Sequence, residues 1–256
     1  MTDGAVKSWR ERDGRLLRLR LDRPKANIVD AEMIAALDAA FSGIAEKPDM
    51  HAVLLDHEGP HFSFGASVEE HLPKNCAAML KSLHALIKKM LACPAPLLVA
   101  INGQCLGGGL ELAMTGNFIF TALDAKLGQP EIKLAVFAPA ASCLLPRLIG
   151  RQHAEELLYS GRSISGARAV EIGFALSADD DPEAAALAYF DGNLASLSAS
   201  TLHHAVAAAR GGWCEEVAAD LDRVETLYLE SLMATHDAVE GLEAFIAKRP
   251  PKWEHR

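Results

Sequence analysis

Two carboxylates flank the most distinctive stretch of the chain, where an apolar run leads into glycines and then into a helical pattern. Glu111 follows the glycines at 107–109, and Glu131 follows Pro130 further along. A helix of about eight residues would lead away by roughly 12 Å, and a strand of about six residues would return by roughly 20 Å. We therefore expect Glu131 to come back beside the helix start that carries Glu111.

Such a pair suits proton transfer at a carbon atom next to a carbonyl group. The unbonded N–H groups and the dipole of a helix start favour an anion there, and glycines let a ligand approach the backbone. Crowding two carboxyls in a dry pocket separates their pKa values into one base and one acid. The spacing alone leaves an alternative open, in which the glycines serve strand–helix packing, Glu111 stabilises a helix start and Glu131 lies at the surface.

Other chemistries have weaker support in the sequence. The glycines do not complete the G-x-G-x-x-G dinucleotide fingerprint, and the Gly-Lys-Ser/Thr of a phosphate-binding loop is missing. His57 and His61 lack a third ligand at a suitable spacing, so we expect no metal site and interpret them as solvated loop residues. No G-x-S-x-G occurs, and the closeness of Ser63 and Ser67 to histidines in sequence is poor evidence for a catalytic triad.

Strand and helix patterns alternate around these residues, which favours an α/β class with parallel strands. Beyond about Pro146 the pattern is nearly all helical. We interpret the acidic run 179–181 as a solvated loop. The predicted strands cover 15–21, 52–55, 97–101 and 118–121, and the predicted helices begin after Asp30, cover 75–91 and 241–248, and start at the glycines 107–109. A further long helix has an apolar face of Val217, Leu221, Val224, Tyr228 and Leu232.

Composition excludes several classes of protein. The 256 residues are 50% hydrophobic and 23% charged, as in an ordinary globular chain, and the net charge is −9. That charge argues against a nucleic acid or an anionic membrane as partner, because both require a basic surface. Five cysteines without a CxxC motif, and an N-terminus without an apolar stretch, favour reduced thiols and a cytoplasmic location.

Several motifs, taken together in order and spacing, resemble the crotonase superfamily of enoyl-CoA hydratases and isomerases over nearly the whole chain. They are RPKAN at 23–27, FSFGAS at 62–67, INGQCLGGGLELAM at 101–114, KLGQPEIKL at 126–134 and AFIAKR at 244–249. Longer stretches resemble the branch of that superfamily that hydrates cyclic dienoyl-CoA thioesters in anaerobic benzoyl-CoA degradation. They are RPKANIVD, GPHFSFGASVEEHLP, GQCLGGGLE and KLGQPEIKLAVFAPAASCLLP.

The resemblance implies a crotonase-like spiral of ββα units over residues 1–195 and a C-terminal helical region over 196–256. That region would build a homo-oligomer, a trimer or a dimer of trimers. The substrate would be an acyl-CoA thioester, with no cofactor beyond the CoA that the substrate carries. The helical pattern by itself leaves open whether 196–256 is an oligomerisation element or a second layer on the same core.

The resemblance also implies roles for individual residues. The backbone N–H groups of Ala66 and Gly108 would form an oxyanion hole, and Glu111 and Glu131 would be the acid/base pair. The implied contacts to CoA and the acyl group are Lys25, Ala26, Ser67, Val68 and Lys248, the last of which can reach CoA in a neighbouring subunit.

Departures from the pattern of straight-chain hydratases point to a reshaped acyl pocket. Ser67 stands where an aspartate is usual, the segment 68–70 lacks a common lysine, and 135–139 replaces a glycine-rich stretch. A pocket shaped for a ring agrees with the resemblance, which implies hydration of cyclohexa-1,5-diene-1-carbonyl-CoA to 6-hydroxycyclohex-1-ene-1-carbonyl-CoA. The alternatives are a short-chain enoyl-CoA hydratase, an isomerase and, more distantly, a catalytically silent scaffold or a nicotinamide-dependent oxidoreductase.

Overall fold

Strands and helices alternate through most of residues 4–256, which a computed structural model describes. In chain order the strands are β1 (Val6–Glu11), β2 (Leu16–Leu21), β3 (Ala52–His57), β4 (Leu97–Ile101), β5 (Gln104–Leu106), β6 (Phe118–Ala122), β7 (Lys126–Gly128), β8 (Ser163–Ser165) and β9 (Ser177–Asp179). The α-helices are α1 (Ala31–Ser42), α2 (Cys76–Leu91), α3 (Gly108–Ala113), α4 (Pro139–Ile149), α5 (Arg151–Ser160), α6 (Gly166–Glu171), α7 (Pro182–Asn193), α8 (Ala199–Thr226) and α9 (His236–Ile246). Two 3-10 turns (Glu69–His71 and Pro130–Leu134) and a π-helical segment (Leu227–Leu232) lie between them.

The main sheet has six strands in the order β1-β2-β3-β4-β6-β9. β1 pairs antiparallel to β2, with Val6 opposite Leu21, and the other neighbours are parallel, as where Leu98 lies opposite Phe118. Parallel neighbours follow from the long crossover connections, which return each strand in the same direction. The predicted α/β class with parallel pairing is confirmed.

A second sheet of three short strands carries β5 and β7 side by side, in parallel, with β8 antiparallel to β7. Each of its first two strands directly follows a strand of the main sheet and precedes a helical element, so β4-β5-α3 and β6-β7 with the 130–134 turn are successive turns of a spiral. The predicted spiral of ββα units is confirmed. Because β5 and β7 are parallel, the start of α3 and the 130–134 turn lie at the same end of the small sheet, where these two strands finish.

Most predicted elements lie close to their predicted bounds, but the sequence patterns miss β1, β5 and β7 as well as strands of the C-terminal half. β4 covers the predicted residues, and Asp30 caps α1 by accepting a hydrogen bond from Met33 N. The expectation of a nearly all-helical pattern after Pro146 misses β8 and β9, two strands of three residues that are too short to show a period of their own. α9 begins at His236, before the predicted start. The predicted solvated loop is confirmed for Asp180 and Asp181, which are exposed, whereas Asp179 ends β9; Asp181 also caps α7 by accepting a hydrogen bond from Ala184 N.

The main sheet is covered on both faces. Alternate residues such as Leu54 and Leu98 pack with Phe190 of α7 on one face, whereas Val53 and Leu55 face the larger core on the other. The predicted boundary after residue 195 lies between α7 and α8. The C-terminal helices form a layer on the core of their own chain, because buried residues of α8 and α9 belong to the larger core. These residues are Val217, Leu221, Val224, Ala238 and Leu242. Within residues 4–256, no helix combines the length and the apolar character needed to cross a bilayer.

Candidate active site

The start of α3 and the 130–134 turn meet at Gly107. This glycine adopts a positive φ of 50°, and its N–H donates to Gly128 O at 3.0 Å. A Cβ atom added at Gly107 would lie 2.5 Å from Glu131 Oε1. The carboxyl of Glu131 therefore lies against the turn that begins the helix of Glu111, and the predicted return of Glu131 to this helix start is confirmed.

Glu111 is buried in the first turn of α3, with 3% of its surface exposed. Its Oε1 atom accepts a hydrogen bond from Ala141 N, at 2.9 Å, in the first turn of α4. Burial raises the pKa of Glu111 to about 7, because the ionised form loses its hydration, and the backbone N–H groups of Ala141 and Ala140 oppose this rise. The carboxyl can therefore exist in either protonation state near neutral pH.

Glu131 lies in the 130–134 turn and is partly buried. Burial, together with the charge of Glu111, raises the pKa of Glu131 to about 8. This mutual effect favours one ionised and one protonated carboxyl, as an acid/base pair requires. The alternative in which Glu131 is a surface residue is wrong.

Gln129 adds a contact that the sequence patterns did not single out. Its side chain is 1% exposed, and with its amide nitrogen turned toward Glu131 it donates to both carboxyl oxygens, at 3.0 and 3.2 Å. This orientation is the one that satisfies both groups. Gln129 therefore holds the carboxyl of Glu131 in place. In the sequence, only its position directly before Pro130 and Glu131 could have indicated this role.

Two backbone N–H groups lie side by side next to the carboxyl pair. A Cβ atom added at Gly108 would lie 3.0 Å from Ala66 Cβ and 3.1 Å from Ala66 N. The neighbouring amides are used elsewhere, since Gly65 N donates to Ser63 Oγ and Ser67 N donates to Val29 O. Within 4–256, the N–H groups of Ala66 and Gly108 have no acceptor, as expected for Gly108 in a first helical turn. Both groups are therefore donors that remain unused within the described residues.

The segment that carries Ala66 is held by hydrogen bonds to β5 and to residue 27. Ser63 N donates to Gln104 O, and Leu106 N donates to Ser63 O, both at 3.0 Å. The buried Ser63 hydroxyl donates to Asn27 O at 2.7 Å and accepts from Gly65 N at 3.0 Å. Ser63 and Asn27 are thus positioning residues that sequence reasoning missed, although both stand inside the quoted motifs.

The loop histidines have structural roles. His57 Nε2 accepts a hydrogen bond from Asn102 N at 3.0 Å, and His61 Nδ1 accepts one from Gln104 N at 3.2 Å. The interpretation of both as solvated is therefore wrong, because each holds backbone next to β5. These bonds explain why two histidines flank this loop.

The residues implied to contact CoA lie partly together. Ala26 O accepts a hydrogen bond from Phe64 N at 2.9 Å, which brings the exposed Lys25 near the segment that carries Ala66. Ser67 and Val68 follow Ala66 directly, and Ser67 Oγ donates to Glu69 at 3.2 Å. Lys248 is exposed and follows the end of α9.

Comparisons with known proteins agree over almost the full length. A family model described as enoyl-CoA hydratase/isomerase matches residues 11–256. The chain is 62% identical, over 98% of its length and 97% of the relative's, to the cyclohexa-1,5-dienecarbonyl-CoA hydratase of Thauera aromatica. It is 33% identical to a protein named probable enoyl-CoA hydratase in Mycobacterium bovis, covering 96% of this chain and 97% of that one. A solved enoyl-CoA hydratase/isomerase from Pseudoalteromonas atlantica has a TM-score of 0.82 at 25% identity, covering 97% of this chain and 99% of that one.

Proposed function

The chain belongs to the enoyl-CoA hydratase/isomerase family and is a hydro-lyase of that family, and from this premise we propose that it hydrates cyclohexa-1,5-diene-1-carbonyl-CoA. The product would be 6-hydroxycyclohex-1-ene-1-carbonyl-CoA. The observation that carries the choice of substrate is the 62% identity to the Thauera aromatica hydratase over nearly the whole of both chains. The geometry of the carboxyl and N–H pairs supports the mechanism.

The thioester oxygen binds between the N–H groups of Ala66 and Gly108 in this proposal. When water attacks the ring, negative charge moves onto that oxygen, and two fixed donors stabilise the charge without reorganisation. The segment from Ser63 to Ala66 is fixed to β5 and Asn27, so these donors are already in place before the substrate binds.

Glu111 and Glu131 hold the water and move the protons. One carboxylate removes a proton from the water, whose oxygen bonds to the ring carbon β to the thioester carbonyl. The displaced electrons spread over the thioester oxygen and the second double bond of the ring. The other carboxyl gives its proton to the far carbon of that double bond, which leaves the remaining double bond conjugated with the thioester. Pair members with pKa values near neutrality suit both transfers.

The acyl group would lie beside the residues that depart from the straight-chain pattern. Ser67 directs its hydroxyl to Glu69, and Phe137 follows the turn of Glu131. A flat ring needs a wider and shorter pocket than a linear chain does, and an aromatic wall at Phe137 fits it. Lys25, Ala26 and Lys248 would bind the CoA portion, where cations offset its phosphates locally.

The proposal extends to the setting of the reaction. No cofactor is needed, because the CoA belongs to the substrate and the reaction is not redox. The protein would work as a trimer or a dimer of trimers in the cytoplasm, in anaerobic benzoyl-CoA degradation. A light-scattering mass of three or six times 27.4 kDa is expected, and a monomer mass would contradict this assembly.

The decisive assay incubates the purified protein with the cyclic dienoyl-CoA and, separately, with crotonyl-CoA, and follows absorbance and mass. We expect the mass of one water to be added to the dienoyl thioester, with little added to crotonyl-CoA. Fast hydration of crotonyl-CoA alone would return the protein to the general short-chain hydratases. A double-bond shift without a gain in mass would identify an isomerase. If neither thioester reacts, the protein is either a catalytically silent scaffold or an enzyme that acts on another acyl-CoA.

A further inference from the structure

Tyr228 is buried without a partner for its hydroxyl. It is the largest fully buried side chain of the described chain, and no group within 4–256 forms a hydrogen bond with its Oη atom. A buried hydroxyl that loses its hydrogen bonds to water destabilises the fold, and phenylalanine would fill the same space without this cost. The helical pattern explains an apolar residue at this position but does not explain the oxygen atom.

The phenol lies where the two halves of the carboxyl site join. Its ring packs edge-on against Phe137, with the centroids 5.1 Å apart. Phe137 belongs to the segment between the turn of Glu131 and α4, and Val136 N donates to Glu131 O at 3.3 Å within it. The first turn of α4 in turn holds the carboxyl of Glu111. Tyr228 therefore packs on the short connection that positions both glutamates.

The surroundings keep this phenol protonated. Burial raises the pKa of Tyr228, and the Cys76 thiol and the carboxylates of Glu131 and Glu111 raise it further. A neutral phenol is a hydrogen-bond donor, and the ring that carries it packs on the connection that positions the two glutamates. Its backbone belongs to the π-helical segment 227–232, where Met233 N donates to Tyr228 O at 2.9 Å, and π-helical turns are frequent at functional sites.

We propose that Tyr228 Oη donates a hydrogen bond to the oxygen atom that the enzyme adds to the ring. This oxygen belongs to the reacting water before addition and to the product hydroxyl afterwards. The inference rests on the proposed function. The ring of the substrate is a hydrocarbon and its carbonyl oxygen is taken by the N–H pair, so among the reacting groups of substrate and water the added oxygen is the acceptor that remains for the phenol.

The test compares Tyr228→Phe with the wild type and with Tyr189→Phe. Tyr189 lies on α7, against Phe118 on the opposite face of the main sheet, so it is a matched control. Initial rates of diene hydration give kcat. The same rates, measured with added 6-hydroxycyclohex-1-ene-1-carbonyl-CoA or cyclohex-1-ene-1-carbonyl-CoA, give the inhibition constants of these two thioesters. The second lacks only the hydroxyl, and its mass is checked for unwanted hydration. Thermal melting shows that each variant is folded.

We expect Tyr228→Phe to lower kcat about tenfold and to weaken binding of the hydroxylated thioester about tenfold, the usual effect of one hydrogen bond. Binding of the thioester without the hydroxyl should change less than twofold, and Tyr189→Phe should change none of these values. If Tyr228→Phe weakens binding of both thioesters equally, Tyr228 only lines the pocket. If kcat and both inhibition constants are unchanged, Tyr228 does not contact the added oxygen. Either result overturns the inference. A wild type that does not hydrate the diene contradicts the proposed function itself, before any variant is compared.

Discussion

Glu111 and Glu131 combine burial with mutual repulsion, and both effects stabilise their protonated forms. If each carboxyl transfers a proton, Glu111→Gln and Glu131→Gln should each lower kcat by about 10² or more, because an amide of the same shape can neither take nor give a proton. Glu215→Gln, on the exposed surface of α8, is the control. Near-normal turnover in either variant, with chemistry rate-limiting, would contradict the role assigned to that residue.

The burial of Glu111 and Glu131 also makes the stability of the fold depend on pH. The glutamine variants, which should lose activity, should for this reason be more stable than the wild type at alkaline pH. The folded state holds the pKa of Glu111 at about 7 and of Glu131 at about 8, both above the ordinary value of 4.5. Between pH 4.5 and 8 the folded state therefore binds more protons than the unfolded state, so stability falls as pH rises through this window. The variant with both glutamates changed to glutamine should therefore lose less stability as pH rises, by several kcal/mol at pH 8, since each pKa unit corresponds to about 1.4 kcal/mol.

Urea unfolding of the wild type and the double variant, from pH 5 to 8.5, measures this difference. The two curves of unfolding free energy should diverge as pH increases, with the double variant the more stable at the alkaline end. Parallel curves would show that the carboxyls keep ordinary pKa values in the folded protein.

In the proposed mechanism the thioester oxygen binds beside Gly108, and a side chain at this position would reduce the space for it. In Gly108→Ala the added Cβ lies 3.0 Å from Ala66 Cβ and 3.1 Å from Ala66 N, within the space between the two donors. We expect kcat to fall by about 10²–10³, the usual effect of losing an oxyanion-hole donor. Gly212→Ala in α8, where a Cβ meets nothing within 4 Å, should leave turnover unchanged. Turnover near the wild-type rate in Gly108→Ala would exclude this pair as the oxyanion hole.

At the scale of elements, the segment before Ala66 pairs with β5 through the backbone of Ser63, and the side chain of the same serine joins it to Asn27. Ser63→Ala leaves Asn27 O and Gly65 N without their partner, which should destabilise the fold by about 1–3 kcal/mol. It should also lower kcat more than it raises KM, because the Ala66 N–H loses its fixed position. Ser82→Ala, which removes an exposed hydroxyl from α2, should change stability by less than about 0.5 kcal/mol. Denaturant titration and steady-state kinetics check both effects, and an unchanged kcat would separate this serine from the site.

At the scale of the whole molecule, α8 is joined to the end of α3 through Arg210. Its guanidinium donates to Thr115 O at 3.0 Å and to Gly116 O at 3.4 Å, and it stacks on Trp213. Since buried residues of α8 and α9 share the core with the sheet, we expect one cooperative unfolding transition for the whole chain.

Arg210→Ala should lower the unfolding free energy by about 2 kcal/mol while keeping a single transition, because two carbonyl groups lose a charged donor. Circular dichroism and tryptophan fluorescence should report the same midpoint in the wild type and in the variant. Early loss of the fluorescence signal alone would show that the C-terminal helices unfold separately, as an attached oligomerisation element would.

Local sequence determined the parts of this protein that short-range physics controls. The cap at Asp30, the apolar strand β4 and the place of Glu111 in the first turn of α3 follow from residue type and period. The return of Glu131 to that helix start followed from the fixed rise of a helix and of a strand. The order of the motifs was enough to indicate the family, because each motif occupies one position along the spiral.

Only the tertiary structure decided which distant segments touch and how dry the site is. Ala66 lies beside Gly108 because its segment pairs with β5, and residue types do not encode that pairing locally. The raised pKa values of the glutamates come from burial by α4 and the 130–134 turn. Tyr228 shows the same limit, since its helical period predicts a packed side chain, and only the tertiary structure places its unpartnered hydroxyl group on a ring that packs against Phe137, which lies between Glu131 and α4 in sequence.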